Sequence, residues 1–304
     1  MLKKFTVHID SNPDSGGVSV FATHFLKYLD YFDLNYEQRN VSRPVWQGVN
    51  IYTVLYVHWL FLLKRRDVYV VIHDLQHRTH PKNFSIYQRL VREIKIWLVS
   101  LLKLKIITES GDVEKMLYEI YRIQHITKIT CFFPDNVRPI QENSLSGDSL
   151  NLFYPAKGWP HKRVEELIEW VKTYNLKSSG LKVKLHLTNV SQAFASEYVE
   201  VHGLVTSDRL IALYDMADLV YINSESESVS LPVFEAWQLG KPVACSTYVW
   251  SISQSQNGRL TYLNISNDYL GFETIINQLQ TKYPIEMIES SQNTLLKFRS
   301  KFWL

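Results

Sequence analysis

Apolar and polar positions alternate in short runs broken by turn residues, and the runs follow two periods. Residues 4–9 (KFTVHI) alternate at the strand period, and 10–17 (DSNPDSGG) reads as a turn-rich loop. From Val18 onward, Phe21, Phe25, Tyr28, Leu29 and Phe32 fall at helical spacing, which predicts an amphipathic helix to about Tyr31. Apolar runs at 52–57, 68–72, 105–108 and 129–133 predict further buried strands. Residues 84–104 predict a long helix, and 109–111 leads into a short one. Beyond residue 150 the pattern repeats: strands at 151–155, 181–187, 199–204, 219–222, 242–246 and 260–263, with helices at 164–174, 209–216 and 272–279. Ser207 or Asp208 is the expected cap of the helix at 209–216.

Strands that alternate with helices imply an α/β chain with parallel sheets and right-handed crossovers. The polar stretch 138–150 (RPIQENSLSGDSL) reads as a linker. It divides the chain into a domain at 1–140, a domain at 150–285 and a basic amphipathic tail at 286–304, which is expected to pack back on the first domain.

Composition narrows the class. The chain has 304 residues, 46% of them apolar and 21% charged, which is material for two cores. A formal net charge of +3 gives no reason to expect nucleic acid as the partner. The N-terminus lacks the apolar core of a secretory signal, and the longest apolar run, 51–63, is too short to span a membrane. Cys131 and Cys245 both lie in apolar segments and read as reduced core thiols of a cytoplasmic protein, with no metal site.

The candidate chemistry centres on 224–246 (SESESVSLPVFEAWQLGKPVACS). Here a strand leads through a serine-rich loop into a helix that Pro232 opens, Ser230 or the Ser228 region caps, and Gly240 ends. Glu227 falls in the loop and Glu235 about one turn into the helix. Two carboxylates at such a corner can accept hydrogen bonds from sugar hydroxyls, worth about 1.5–3 kcal/mol each. The helix N-terminus can hold an anion such as a diphosphate. The spacing alone fits two solvated surface acids as well. Three other corners add to it. Gly16-Gly17 follows the first strand, His73 ends the strand at 68–72, and Lys157 and Lys162 flank the loop after 151–155, where ammonium groups suit phosphate. Each has a bland counterpart: an ordinary turn, a structural histidine, a pair of exposed lysines. Residues 84–104 carry Arg89, Arg92, Lys95 and Lys103 among aliphatics; they read either as a half-buried helix with a solvated basic face or as a membrane-surface helix.

Four motifs in order carry a resemblance. They are Gly16-Gly17-Val18; His73-Asp74 with His80-Pro81; Tyr154-Pro155-Ala156-Lys157 with Trp159-Pro160-His161-Lys162; and Glu227 to Glu235 followed by Ala236, Gly240-Lys241-Pro242-Val243 and Ser246. The chain resembles the retaining glycosyltransferases of family four, whose fold is GT-B: two Rossmann-like domains with parallel sheets facing across a cleft. The resemblance implies a nucleotide diphosphate sugar as donor, with no cofactor and no metal. It implies Glu235 on the ribose hydroxyls, Glu227 and His73 toward the donor sugar, and Lys157 and Lys162 on the departing diphosphate. It also implies Gly16 and Gly17 closing over the phosphates, and Ser230 and Leu231 among the donor-binding residues. The acceptor would be a glycan or lipid-linked glycan in bacterial surface polysaccharide synthesis, with peripheral contact at the inner face of the membrane. Two departures stand out. Lys157 replaces a frequent arginine, and Ser228-Val229-Ser230 replaces the usual Gly-Phe-Gly, which implies a reshaped donor pocket. A catalytically silent GT-B module that binds a sugar nucleotide or protein partner, and an epimerase or phosphorylase on the same fold, are the competing readings.

Overall fold

The computed structural model describes residues 4–10, 17–31, 33–42, 44–46, 48–64, 67–129, 149–225, 227, 229–246 and 261–262. The chain divides into two compact units, one built on Met1–Phe133 and one on Pro134–Pro284. Each contains a six-stranded sheet, and every pairing between its strands is parallel.

In the first unit the strands are β1 (Phe5–Ile9), β2 (Tyr36–Asn40), β3 (Val49–Tyr52), β4 (Val68–Val71), β5 (Lys105–Thr108) and β6 (Ile126–Lys128), in the order β2-β1-β3-β4-β5-β6. The helices are α1 (Gly17–Tyr31), α2 (Phe61–Lys64), α3 (Gln76–Thr79), α4 (Ile86–Leu101) and α5 (Gly111–Tyr121). Period-2 geometry explains why β4 is apolar throughout. Tyr69 and Val71 pack with Phe21, Phe25 and Tyr28 of α1, whereas Val68 and Val70 pack with Ile96 and Val99 of α4 and Leu117 of α5. Helices thus cover both faces of the sheet.

Several boundaries differ from the pattern reading. The strand expected at 52–57 is β3, three residues earlier, and 53–60 is irregular before α2. β6 at 126–128 ends just before the strand expected at 129–133, of which only Ile129 lies among the described residues. β2 (YEQRN) escapes the pattern because it is an edge strand with exposed polar residues, and its Glu37 pairs with Lys4 and Arg39. The helix expected at 84–104 is α4 at 86–101, capped by Ser85, whose side chain accepts from the Gln88 amide in a capping box. Its outward face sets large apolar side chains beside the exposed Arg89. Ile86, Tyr87, Leu90, Ile94, Trp97 and Leu101 are exposed, Ile86 by 83% and Leu101 by 76%, while Arg92 stacks on Phe84 and pairs with Asp74. No helix among the described residues is long and apolar enough to cross a membrane.

In the second unit the strands are β7 (Ser149–Tyr154), β8 (Lys182–Leu187), β9 (Val199–Val201), β10 (Leu219–Ile222), β11 (Val243–Cys245) and β12 (Thr261–Tyr262), in the order β12-β11-β10-β7-β8-β9. The helices are α6 (Val164–Lys177), α7 (Ser207–Met216) and α8 (Leu231–Gln238). β7 begins inside the stretch expected to be linker. Thr206, not Ser207 or Asp208, caps α7 with its side chain on the Arg209 amide. Asn175 at the end of α6 exchanges two 2.8 Å hydrogen bonds with the Val183 backbone, which pins that helix to β8. Cys245 is buried and forms no disulfide among the described residues. Cys131, Gly16, Ser228, most of the linker, the expected helix at 272–279 and the tail at 286–304 lie outside the described residues.

One glycine is fixed by geometry. Gly48 has φ +81°, and a Cβ there would stand 2.1 Å from the Lys4 carbonyl oxygen, which also accepts from the Val49 amide at 3.0 Å. Gly48→Ala should therefore lower stability by at least about 1 kcal/mol, read as an earlier midpoint in urea unfolding. An unchanged midpoint would contradict the geometry.

Candidate functional site

The order of the second sheet places its topological switch point between β7 and β10. The chain runs from β7 outward through β8 and β9, then returns to build β10, β11 and β12 on the other side. Loops leaving two such strands diverge and open a crevice at their carboxyl ends, where open α/β sheets bind ligands. The β7 exit runs through Pro155–Trp159 and a 3-10 turn, Pro160–Lys162, into α6. The β10 exit is Asn223, Ser224, Glu225 and Glu227, leading to α8.

Backbone and side-chain bonds stitch these two exits together. The Glu225 amide donates to the His161 carbonyl at 2.7 Å, and Asn223 Nδ2 donates to the Arg163 carbonyl at 2.9 Å. Ser246, just after β11, donates its hydroxyl to the Ser224 carbonyl at 2.6 Å. The result holds Lys162 Nζ directly on Glu227 Oε1. Ser224 Oγ donates to the same carboxylate oxygen at 2.6 Å. Behind them, the Tyr154 hydroxyl lies 3.0 Å from both Ser224 Oγ and the Lys162 carbonyl. Burial, and then the Glu227 charge, push the Tyr154 phenol well above its usual range, so it stays protonated and serves as a donor. The Lys162 and Glu227 side chains are 18% and 11% exposed, so the pair is shielded from water yet open at its rim.

The two glutamates of the expected pair separate in role. Glu235 lies on α8 and accepts from the Tyr214 hydroxyl of α7 at 2.6 Å. Burial raises its carboxyl above the usual range against the lowering effect of that hydrogen bond. Ser230 and Leu231 stand at the start of α8. Leu231, not Pro232, is its first residue, and Ser230 occupies the cap position without making the cap bond. Ser230 Oγ is buried and has no partner among the described residues, which is uncommon for a hydroxyl beside helix amides. Lys157 is half-buried in the same β7–α6 loop as Lys162.

Gly17 and His73 belong to the first unit. Gly17 opens α1. His73 follows β4 with its ring edge-on to Phe21, Nδ1 2.8 Å from Glu109 Oε2 and Nε2 2.8 Å from the Thr53 carbonyl. The Thr53 carbonyl can only accept, so Nε2 carries a proton and donates to it. Burial pulls the ring pKa down, but the hydrogen bond and charge of Glu109 outweigh this and hold it above the ordinary value. A sugar contact from Nε2 thus requires the Thr53 carbonyl to give way.

The sequence reading places Tyr154 in the β7-exit motif and Ser224 at the head of the β10-exit stretch without giving either a partner, and it misses Tyr214. The available signal was a tyrosine inside an apolar strand or helix, because a buried phenol needs a polar partner.

With this geometry, the chain can be set beside solved structures. It is similar to a sucrose-phosphate synthase from Thermosynechococcus elongatus at 13% identity and TM-score 0.65, covering 92% of this chain and 89% of that one. WaaG, a glycosyltransferase involved in lipopolysaccharide biosynthesis, matches at 11% identity and TM-score 0.61, covering 96% and 94%. TarM of S. aureus, solved as a mutant with Fondaparinux, alpha-GlcNAc-glycerol and UDP, matches at 16% identity and TM-score 0.61. The fold is GT-B. The chain spans only 55% of that TarM structure, against nearly all of WaaG. No protein-family model matches the chain, and no curated relative matches it in sequence.

Glu235 yields a pH prediction. Its folded pKa lies above the unfolded value of 4.5, so the folded state favours the protonated carboxyl. That contribution is complete below pH 4.5 and is lost as pH rises through the folded pKa. Glu235→Gln should therefore gain stability over wild type progressively as pH rises from 5 to 8, measured by urea unfolding. A difference that does not vary with pH would contradict the assignment.

Proposed function

We propose that the chain is a retaining glycosyltransferase of family four. It moves a hexose from a nucleotide diphosphate sugar to a glycan or lipid-linked glycan acceptor in surface polysaccharide synthesis. The observation that carries this reading is the Lys162–Glu227 pair at the β7/β10 switch point, flanked by the N-terminus of α8. A diphosphate can take three things there: the Lys162 ammonium, the first amides of α8 and the Ser230 hydroxyl, which has no partner among the described residues. On donor arrival Lys162 exchanges a carboxylate for a phosphate, and Glu227 is released toward the sugar. Ser224 and Tyr154 keep Glu227 and the Lys162 backbone oriented through the exchange. Glu235, kept partly buried and held by Tyr214, receives the ribose hydroxyls.

Breaking the glycosidic bond leaves negative charge on the diphosphate and positive charge on the sugar. A preorganised cation at the leaving group is a large catalytic contribution. Lys162 supplies it, with Lys157 from the same loop, so the transfer step draws on no metal. UDP bound to TarM and the lipopolysaccharide role of WaaG support a nucleotide-linked donor and a surface-glycan acceptor for this chain. The apolar outward face of α4, flanked by Arg89 and Lys95, supports peripheral contact with an anionic membrane surface.

The test is a panel of UDP-, GDP- and dTDP-sugars, scored for thermal shift and for hydrolysis or transfer. A shift with turnover and retained anomeric configuration supports the reading. A shift without turnover makes the chain a sugar-nucleotide-binding module, and epimerised or phosphorolysed products redirect it to those chemistries. Lys162→Ala should lower kcat by about 10²–10³; wild-type turnover in that variant would remove Lys162 from the mechanism. Wild type should co-sediment with anionic vesicles at low salt and Leu90→Glu should not; absence of wild-type binding would remove the membrane contact.

A further inference from the structure

At the β8–β9 edge of the same sheet, a buried histidine, a partly buried one and a glutamate converge. His186 of β8 pairs in register with Glu200 of β9, and His202 follows two residues on, so all three side chains share one sheet face. His186 Nδ1 lies 3.2 Å from His202 Nε2, and the rings stack with centroids 5.5 Å apart. Glu200 Oε2 is 3.8 Å from His186 Nδ1, and Glu200 Oε1 is 3.7 Å from His202 Nδ1. One ligand atom from each residue falls within 4.8 Å of the others.

The surroundings fix which ring atoms face inward. Asp218 Oδ2 accepts from both the Asn151 amide, at 2.7 Å, and Asn151 Nδ2, at 3.1 Å. That turns Asn151 Oδ1 toward His186 Nε2, 3.2 Å away. An amide oxygen can only accept, so His186 carries its proton on Nε2 and presents the Nδ1 lone pair to His202. A histidine whose outer N–H is held by a fixed acceptor while its other nitrogen points into a cluster is the arrangement that orients metal ligands. The 3.2 Å nitrogen separation also fits: two imidazoles on a tetrahedral zinc, each at about 2.0–2.1 Å, stand about 3.3–3.4 Å apart. A packed pair of core histidines requires neither the Asn151–Asp218 relay nor a carboxylate at the rim.

We propose that His186 Nδ1, His202 Nε2 and a Glu200 carboxylate oxygen form a three-ligand site for a zinc-class divalent cation, with water in the fourth position. The site contains no cysteine and is separate from the proposed transfer chemistry. It ties the edge strand β9 and the turn before α7 to β8. The ammonium of Lys184 stands 2.7 Å from Glu200 Oε2 and neutralises it. The Lys184 side chain is 45% exposed, so it can swing into solvent when a cation takes the carboxylate. The half-exposed Glu200 forms the entry.

The test uses tag-free, full-length protein titrated with zinc against a chromophoric chelator, and with cobalt(II) followed by its visible absorption. The proposal predicts one tightly held ion per chain, tetrahedral-type cobalt bands and a raised Tm. His202→Asn and the more exposed Glu200→Gln should each weaken zinc by at least about tenfold. Lys184→Met should tighten it by up to about fivefold, the value of an exposed ion pair. Absence of stoichiometric binding in wild type, or binding that neither His202→Asn nor Glu200→Gln weakens, would overturn the site.

Discussion

The contact on which the candidate site depends is that between the Lys162 ammonium and the Glu227 carboxylate. Each group arrives on a different loop, and the loops meet only because the sheet reverses its winding between β7 and β10. Two shielded ions of opposite sign satisfy one another at modest net gain, but either one alone would be costly, on the order of 3–5 kcal/mol for a fully buried pair. The arrangement is therefore stable as a pair and poised for substitution. A ligand that offers an anion to the lysine and hydroxyls to the glutamate can replace both halves at once.

The packing around that pair consists of polar groups tucked under an apolar sheet. Tyr154 ends a buried strand, Tyr214 lies fully inside α7's inner face, and each places a phenol on the carboxylate system. These tyrosines bury large ring areas while keeping one hydrogen-bonding end at the site. Core and site are thus the same residues seen from two sides. The raised pKa of Glu235 follows from this economy: packing that holds the carboxylate in place also removes it from water. Burial is the larger cause of that shift, set against the Tyr214 hydrogen bond.

Much of this was legible in the chain. Parallel sheets with helices on both faces follow from runs such as VYVV in β4, which are apolar at every position because both faces are covered. The end of α8 at Gly240, with φ +69°, was visible as a glycine before Lys-Pro. Elements that lack a hydrophobic signature were not legible. β2 is polar because it lies at an edge, and the apolar run that marks β3 continues past Tyr52 into an irregular segment and α2, which displaces its expected bounds. In the site, the motif spacing pointed to Lys162 and Glu227 but could not reveal that they grip each other. Nor could it reveal that Glu235 turns to Tyr214, or that both nitrogens of His73 are already engaged, because partner choice is set by sheet order and not by local sequence. The histidine–glutamate cluster at β8 and β9 was invisible for the same reason, since its members are scattered across two strands and joined only by register.

The central claim is that Glu227 holds Lys162 in the free protein and yields it to a diphosphate. Calorimetric titration of UDP, GDP and dTDP into wild type and Glu227→Gln tests this most directly. The account predicts that whichever nucleoside diphosphate binds will bind Glu227→Gln more tightly, because it no longer competes with a carboxylate for the ammonium. Equal or weaker binding to Glu227→Gln, in a variant that remains folded, would contradict it.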